Sequence, residues 1–120
     1  LTRQSIGKQG EAKAKSYLLE KGYSILNENF RTKLGEIDIV IADKDSIVFV
    51  EVKSRRTGKY GLPREAITSY KQSKIRKVAL LYIKKYKLEK RKVRFDVVEI
   101  FLDETLGDEF WKVNHIINAF

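Results

Sequence analysis

The amino-acid sequence predicts an α/β protein in which a mixed β-sheet is flanked by helices. Three observations carry that expectation. The runs Ile37-Asp38-Ile39-Val40-Ile41 and Ile47-Val48-Phe49-Val50 are β-branched or aromatic at nearly every position, as strands covered on both faces must be. Two other segments, 6–21 and 69–87, carry apolar residues at helical spacing. The order along the chain is helix, three strands, helix, strand and an apolar tail.

Each element has a local reason. In 6–21, Ala12, Ala14, Tyr17, Leu18 and Leu19 give a broad apolar side, and Gly22 stands where a left-handed C-terminal cap belongs. Gly7 and Gly10 weaken the early turns or let another backbone come close. Segment 23–30 reads as a strand through Tyr23, Ile25 and Leu26. Segments 36–42 and 47–54 read as a hairpin closed by Asp43-Lys44-Asp45-Ser46. Closing Ala42 against Ile47 places Asp38 opposite Glu51 and Glu36 opposite Lys53. One face then holds Ile37, Ile39, Ile41, Val48, Val50 and Val52; the other holds Val40, Ala42, Ile47 and Phe49 beside the charged residues. Segment 55–61 reads as a basic loop, with Pro63 after it. Helix 69–87 has Ser69 and Gln72 at capping-box spacing and a stripe of Ile75, Val78, Ala79, Tyr82, Ile83 and Tyr86. Segment 93–102 is the next strand, 103–109 an acidic loop, and 111–120 an edge strand or tail.

Composition narrows the function classes. A chain of 120 residues makes one domain with a single core. The absence of cysteine excludes disulfides and cysteine-ligated zinc, and His115 as the single histidine argues against a histidine metal site or a Ser-His-Asp triad. No segment approaches the ~20 apolar residues of a membrane span, and the polar N-terminal region carries no signal-peptide pattern, so the expected location is the cytoplasm. Net charge is +9, and residues 53–94 hold 16 of the 25 Lys/Arg but only Glu65 and Glu89 among the acids. That asymmetry points to a polyanionic partner, nucleic acid first. The blander reading is a solvated basic helix.

Glu36-x-Asp38 and Glu51-x-Lys53 each place two charged side chains on one face of a strand. Directly opposed Cβ atoms lie about 5 Å apart. Carboxylates that close raise one another's pKa unless a cation sits between them. The cluster is therefore either a structural salt-bridge group or a site for a hard divalent cation, Mg²⁺ or Mn²⁺, held by Asp38 and Glu51. Arg55, Arg56, Lys59 and Tyr60 interleave cations with an aromatic ring, which suits a nucleic-acid backbone and an exposed base. Lys71 and Gln72 open the second helix, where backbone N–H groups add to a phosphate contact.

An acid on one strand, acid-x-lysine on the next and flanking helices resemble the PD-(D/E)XK nuclease superfamily, with Gly-Glu-Ile-Asp standing as in its Holliday-junction-resolvase-like members. Gly7-x-x-Gly10-Glu11-x-x-Ala14, Asn29-Phe30-Arg31, Gly35-Glu36-Ile37-Asp38, Phe49-Val50-Glu51-Val52-Lys53-x-Arg55, Lys71-Gln72 and Asn118-Ala119-Phe120 together resemble the YraN family of bacterial endonuclease-like proteins over the whole chain. The resemblance implies a restriction-endonuclease-like fold and a Mg²⁺-dependent nuclease acting on DNA, branched or structured. It implies metal ligation by Asp38 and Glu51, charge stabilisation by Lys53, and Glu11 as a further acid. It also implies a homodimer, since the junction resolvases act as dimers. The alternative is a non-catalytic nucleic-acid-binding accessory protein on the same scaffold.

Overall fold

The structure, a computed structural model, describes residues 2–56, 67–103 and 110–120. The basic-loop residues Lys59, Tyr60 and Pro63, and most of the acidic loop, lie outside the described residues. The elements are α1 (Arg3–Glu20), β1 (Ser24–Thr32), β2 (Gly35–Asp43), β3 (Ser46–Arg56), α2 (Ser69–Lys85), β4 (Lys92–Leu102) and β5 (Trp111–Ile116).

The strands form one five-stranded sheet in the order β1-β2-β3-β4-β5. β3 and β4 run parallel, and every other pair is antiparallel. The mixed α/β sheet is thus as expected, and the C-terminal segment resolves into edge strand β5. A parallel pair needs a crossover, and α2 lies between β3 and β4 in the chain.

The apolar faces are covered from both sides. Ala14 and Leu18 of α1 pack on Ile39, Ile41, Val48, Val50, Val98 and Ile100. Ile75, Val78, Ala79 and Tyr82 of α2 pack on Ile37, Val40, Ile47, Phe49 and Phe95. Ile37 therefore departs from the expected alternation, which put it with Ile39. Across from this point, between the pairs Glu28↔Ile39 and Phe30↔Ile37, Asn29 takes a left-handed φ of 52° within β1.

Both helices end in the same backbone device. In α1, Tyr23 N–H bonds Leu18 O and Gly22 N–H bonds Leu19 O, with Gly22 at φ 92°. In α2, Leu88 N–H bonds Ile83 O and Lys87 N–H bonds Lys84 O, with Lys87 at φ 55°. These are Schellman motifs. A lysine at the left-handed position carries no sequence signal, so α2 stops short of the expected 87. It starts at Ser69 as expected, but its cap differs. Thr68, rather than Ser69, is the N-cap and accepts the Lys71 N–H at 3.1 Å. Gln72 donates its Nε2–H to Ile67 O instead of closing a capping box on Ser69. Arg55 and Arg56, expected in a loop, finish β3 opposite Phe101 and Leu102 of β4.

Candidate functional site

β2 and β3 pair in the expected register from Asp43↔Ser46 to Ile39↔Val50, and there the ladder ends. β2 continues to Gly35 against β1 alone, and β3 continues to Arg56 against β4 alone. The sheet forks. Asp38 and Glu51 are the first residues past the last shared pair, one on each arm. The expected Glu36–Lys53 apposition is lost with the ladder, and Glu36 instead binds Arg31 of β1 at 2.6 Å.

The fork explains why acids are tolerated here. Val52 N–H has lost its cross-strand carbonyl, and Asp38 Oδ2 accepts it at 2.8 Å. Glu51, only 8% exposed, meets two ammonium groups through one oxygen. Lys71 Nζ lies 2.9 Å and Lys53 Nζ 3.8 Å from its Oε1. Lys71 comes from the first turn of α2, which Thr68 fixes. Glu11 arrives on α1, whose approach depends on Gly10: a Cβ there would overlap Ser54 of β3, with its Cβ only 2.7 Å away.

The electrostatics follow the geometry. Burial, then repulsion from Glu51, pushes the Asp38 carboxyl up to about 7, with the Val52 N–H opposing. Burial and Glu36 raise Glu11, which also feels Glu51. Burial, then the neighbouring Lys71, brings Lys53 down to about 8. Burial works against the Lys71 ammonium as well, but its bonds to Lys53 and Glu51 leave it above the ordinary lysine value. The lysine nearer the carboxylate keeps its proton most firmly.

Among the described residues, no three His, Asp or Glu side chains gather as a ready-made metal cage. The contacts above engage one oxygen of each fork carboxylate, Asp38 Oδ2 and Glu51 Oε1. A magnesium-type ion asks for little more than one or two carboxylates, completing its shell with water and phosphate. The donor set fits such an ion, with Asp38 and Glu51 as the residues that could hold it.

Of the expected site residues, the fork brings together Asp38, Glu51, Lys53 and Lys71, with Glu11 close enough to couple electrostatically. Gln72 is occupied by Ile67 O. A second polar group was not anticipated. Asp96, fully buried, accepts from Arg94 Nε at 2.8 Å, Arg94 Nη2 at 2.9 Å and the Asn118 N–H at 3.0 Å, and it bonds His115 Nε2 at 2.7 Å. Tyr17 of α1 bonds His115 Nδ1. The available signal was Arg94-x-Asp96, an i, i+2 charge pair inside an apolar strand, the same pattern that marks the fork.

Residues 10–100 match the family described as uncharacterised protein family UPF0102. Relatives include UPF0102 proteins of Caldanaerobacter subterraneus, 46% identical over all of this chain and 98% of that protein, and of Clostridioides difficile, 47% identical over the full length of both. A UPF0102 protein of Syntrophus aciditrophicus is 52% identical over 80% of this chain and 76% of its own.

Proposed function

The chain belongs to the UPF0102 family, and from its forked sheet we propose that it is a metal-dependent nuclease hydrolysing phosphodiester bonds of DNA, branched or structured. The observation that carries this reading is the placement of Asp38 and Glu51 at the point where two strands part, with Lys53 and Lys71 beside them. A fork opens a cleft in a sheet otherwise sealed by helices, and it sets charged groups at the mouth. On this reading the fold is restriction-endonuclease-like, and a homodimer in the cytoplasm would present two such clefts to a branched substrate.

Asp38 and Glu51 would hold Mg²⁺, with Mn²⁺ as a substitute. The ion supplies Lewis acidity and a more acidic bound water. Val52 N–H keeps the Asp38 carboxylate oriented, and burial of Glu51 keeps competing water away. Lys53, held at the cleft with a depressed pKa, faces the phosphate and stabilises charge developing on its oxygens. Glu11 supports the acid cluster from α1. Arg55 and Arg56, extending β3 beyond the fork, carry the basic track towards the substrate backbone.

The test is a panel of linear, branched and single-stranded DNA incubated with Mg²⁺, Mn²⁺ or EDTA, with Glu51→Ala alongside. Metal-dependent cleavage absent from the variant is expected. Cleavage that survives Glu51→Ala would overturn the site. One observation favours a second reading: Lys53 and Lys71 already neutralise Glu51 without a metal. An accessory protein that binds nucleic acid without cutting it would show salt-sensitive binding and no turnover on any DNA of the panel.

A further inference from the structure

The fork holds two carboxylates and two ammonium groups, so its formal charges balance without an ion. Adding a divalent cation to Asp38 and Glu51 would leave excess positive charge in a half-buried cleft, even with Glu11 counted. Something must leave, or an anion must arrive. The two lysines differ in how free they are to respond. Lys53 is embedded in β3, with a side chain 21% exposed; Lys71 stands on the first turn of α2, 39% exposed, and reaches across to Glu51 Oε1. Lys71 is also the closer partner, at 2.9 Å, so it competes most directly for the oxygen a metal would use.

We propose that Lys71 is an exchangeable counter-ion of the site: it occupies Glu51 until a divalent cation binds, then transfers to the substrate phosphate. This rests on the nuclease reading and extends it, because it couples metal and phosphate binding through one side chain. The first turn of α2 suits the transfer. Its backbone N–H groups and the ammonium share one end of the helix, and the Thr68 cap holds the Lys71 backbone in place while the side chain swings.

Two signs follow, and they are opposite. Lys71→Met keeps the stem and removes the charge. Without DNA, it should bind Mn²⁺ more tightly than the wild type, on the order of tenfold, since a close competing cation is gone. With Mn²⁺ present, it should bind a phosphodiester oligonucleotide more weakly and with a salt slope smaller by about one. Lys74→Met is the charge-matched control. Lys74 lies on the same helix, with its ammonium 4.9 Å over the Tyr70 ring, and its loss should leave Mn²⁺ affinity within about twofold.

Mn²⁺ binding is read by the loss of the free-ion paramagnetic resonance signal, and DNA binding by fluorescence anisotropy, with circular dichroism confirming each fold. Equal or weaker Mn²⁺ binding by folded Lys71→Met, while Glu51→Gln abolishes binding in the wild-type background, would overturn the exchange alone. Mn²⁺ affinity indifferent to Glu51→Gln would overturn the metal site itself and the exchange with it.

Discussion

At the scale of single residues, Asp38 makes the sharpest prediction, because its environment opposes its charge. Its folded pKa of about 7 stands above the ordinary 3.8. Between those values the folded chain holds a proton that the unfolded chain has released, so stability falls as pH rises. The contribution favours folding most below the lower value and is lost as pH passes the upper one. Asp38→Asn should therefore stabilise the metal-free protein at pH 8 by about 1–2 kcal/mol and far less at pH 4, measured by thermal melts in EDTA. Adding Mg²⁺ at pH 8 should raise the wild-type Tm and leave the variant's unchanged. Asp96 is the opposite case. Burial pushes its pKa up, but bonds from His115, Arg94 and the Asn118 N–H outweigh that and hold it low. Asp96→Ala would leave Arg94 Nε and His115 Nε2 without their buried carboxylate, though Arg94 keeps Asp43 and His115 keeps Tyr17, an expected loss of about 3 kcal/mol by denaturant titration. The sequence pattern alone does not separate these acids. Both lie between apolar residues in strands, and only the fork at one and the guanidinium at the other tell them apart.

Elements were legible where periodicity and turn chemistry agreed. The hairpin register from Ala42 against Ile47 held because Lys44 accepts the left-handed φ of 55° that a two-residue turn requires. It failed beyond Ile39, because no local signal announces that a strand will exchange its neighbour for solvent. The start of α2 at Ser69 was legible, but its cap is Thr68 rather than Ser69, since both residues are good caps and tertiary packing chooses between them. α1 makes an element-level prediction. Gly10 is the residue through which it approaches Ser54, so Gly10→Ala should lift the helix, cost about 1–3 kcal/mol and draw Glu11 away from the fork. Gly7→Ala, where a Cβ would meet nothing within 4 Å, should be neutral or slightly stabilising. Thermal melts of the two variants distinguish close approach from generic helix propensity. On α2, Tyr70 is 70% exposed one residue from Lys71, with Lys74 over its ring. Tyr70→Ala should weaken binding to single-stranded DNA several-fold more than binding to duplex, read by anisotropy.

For the whole molecule, charge asymmetry and the forked sheet belong to one account. Residues 53–94, which carry 16 of the 25 cations, run from the arm of β3 through α2 into β4; Lys53, Arg55, Arg56 and Lys71 stand at the fork end of that stretch, whereas Lys92 and Arg94 open β4 beside Ser46 and Val48, at the hairpin-turn end. Binding to DNA should weaken steeply and log-linearly with salt, with a slope of about 0.9 per phosphate neutralised. Layering and the helix-on-both-faces arrangement were legible from strands apolar at nearly every position. The fork was not, because it depends on β4 and β5 extending the sheet on one side while β1 extends it on the other. Its acids were visible only as a pattern, and the topology turned that pattern into a place.

The central claim is that the fork carboxylates hold a divalent cation against a substrate phosphate. Anomalous diffraction from crystals grown with Mn²⁺ and an oligonucleotide tests it most directly. The account predicts a Mn²⁺ peak about 2.1 Å from oxygens of Asp38 and Glu51, with a phosphate oxygen in its shell and Lys71 Nζ on that phosphate. Mn²⁺ bound elsewhere, with Lys71 still on Glu51 and no phosphate at the fork, would contradict it.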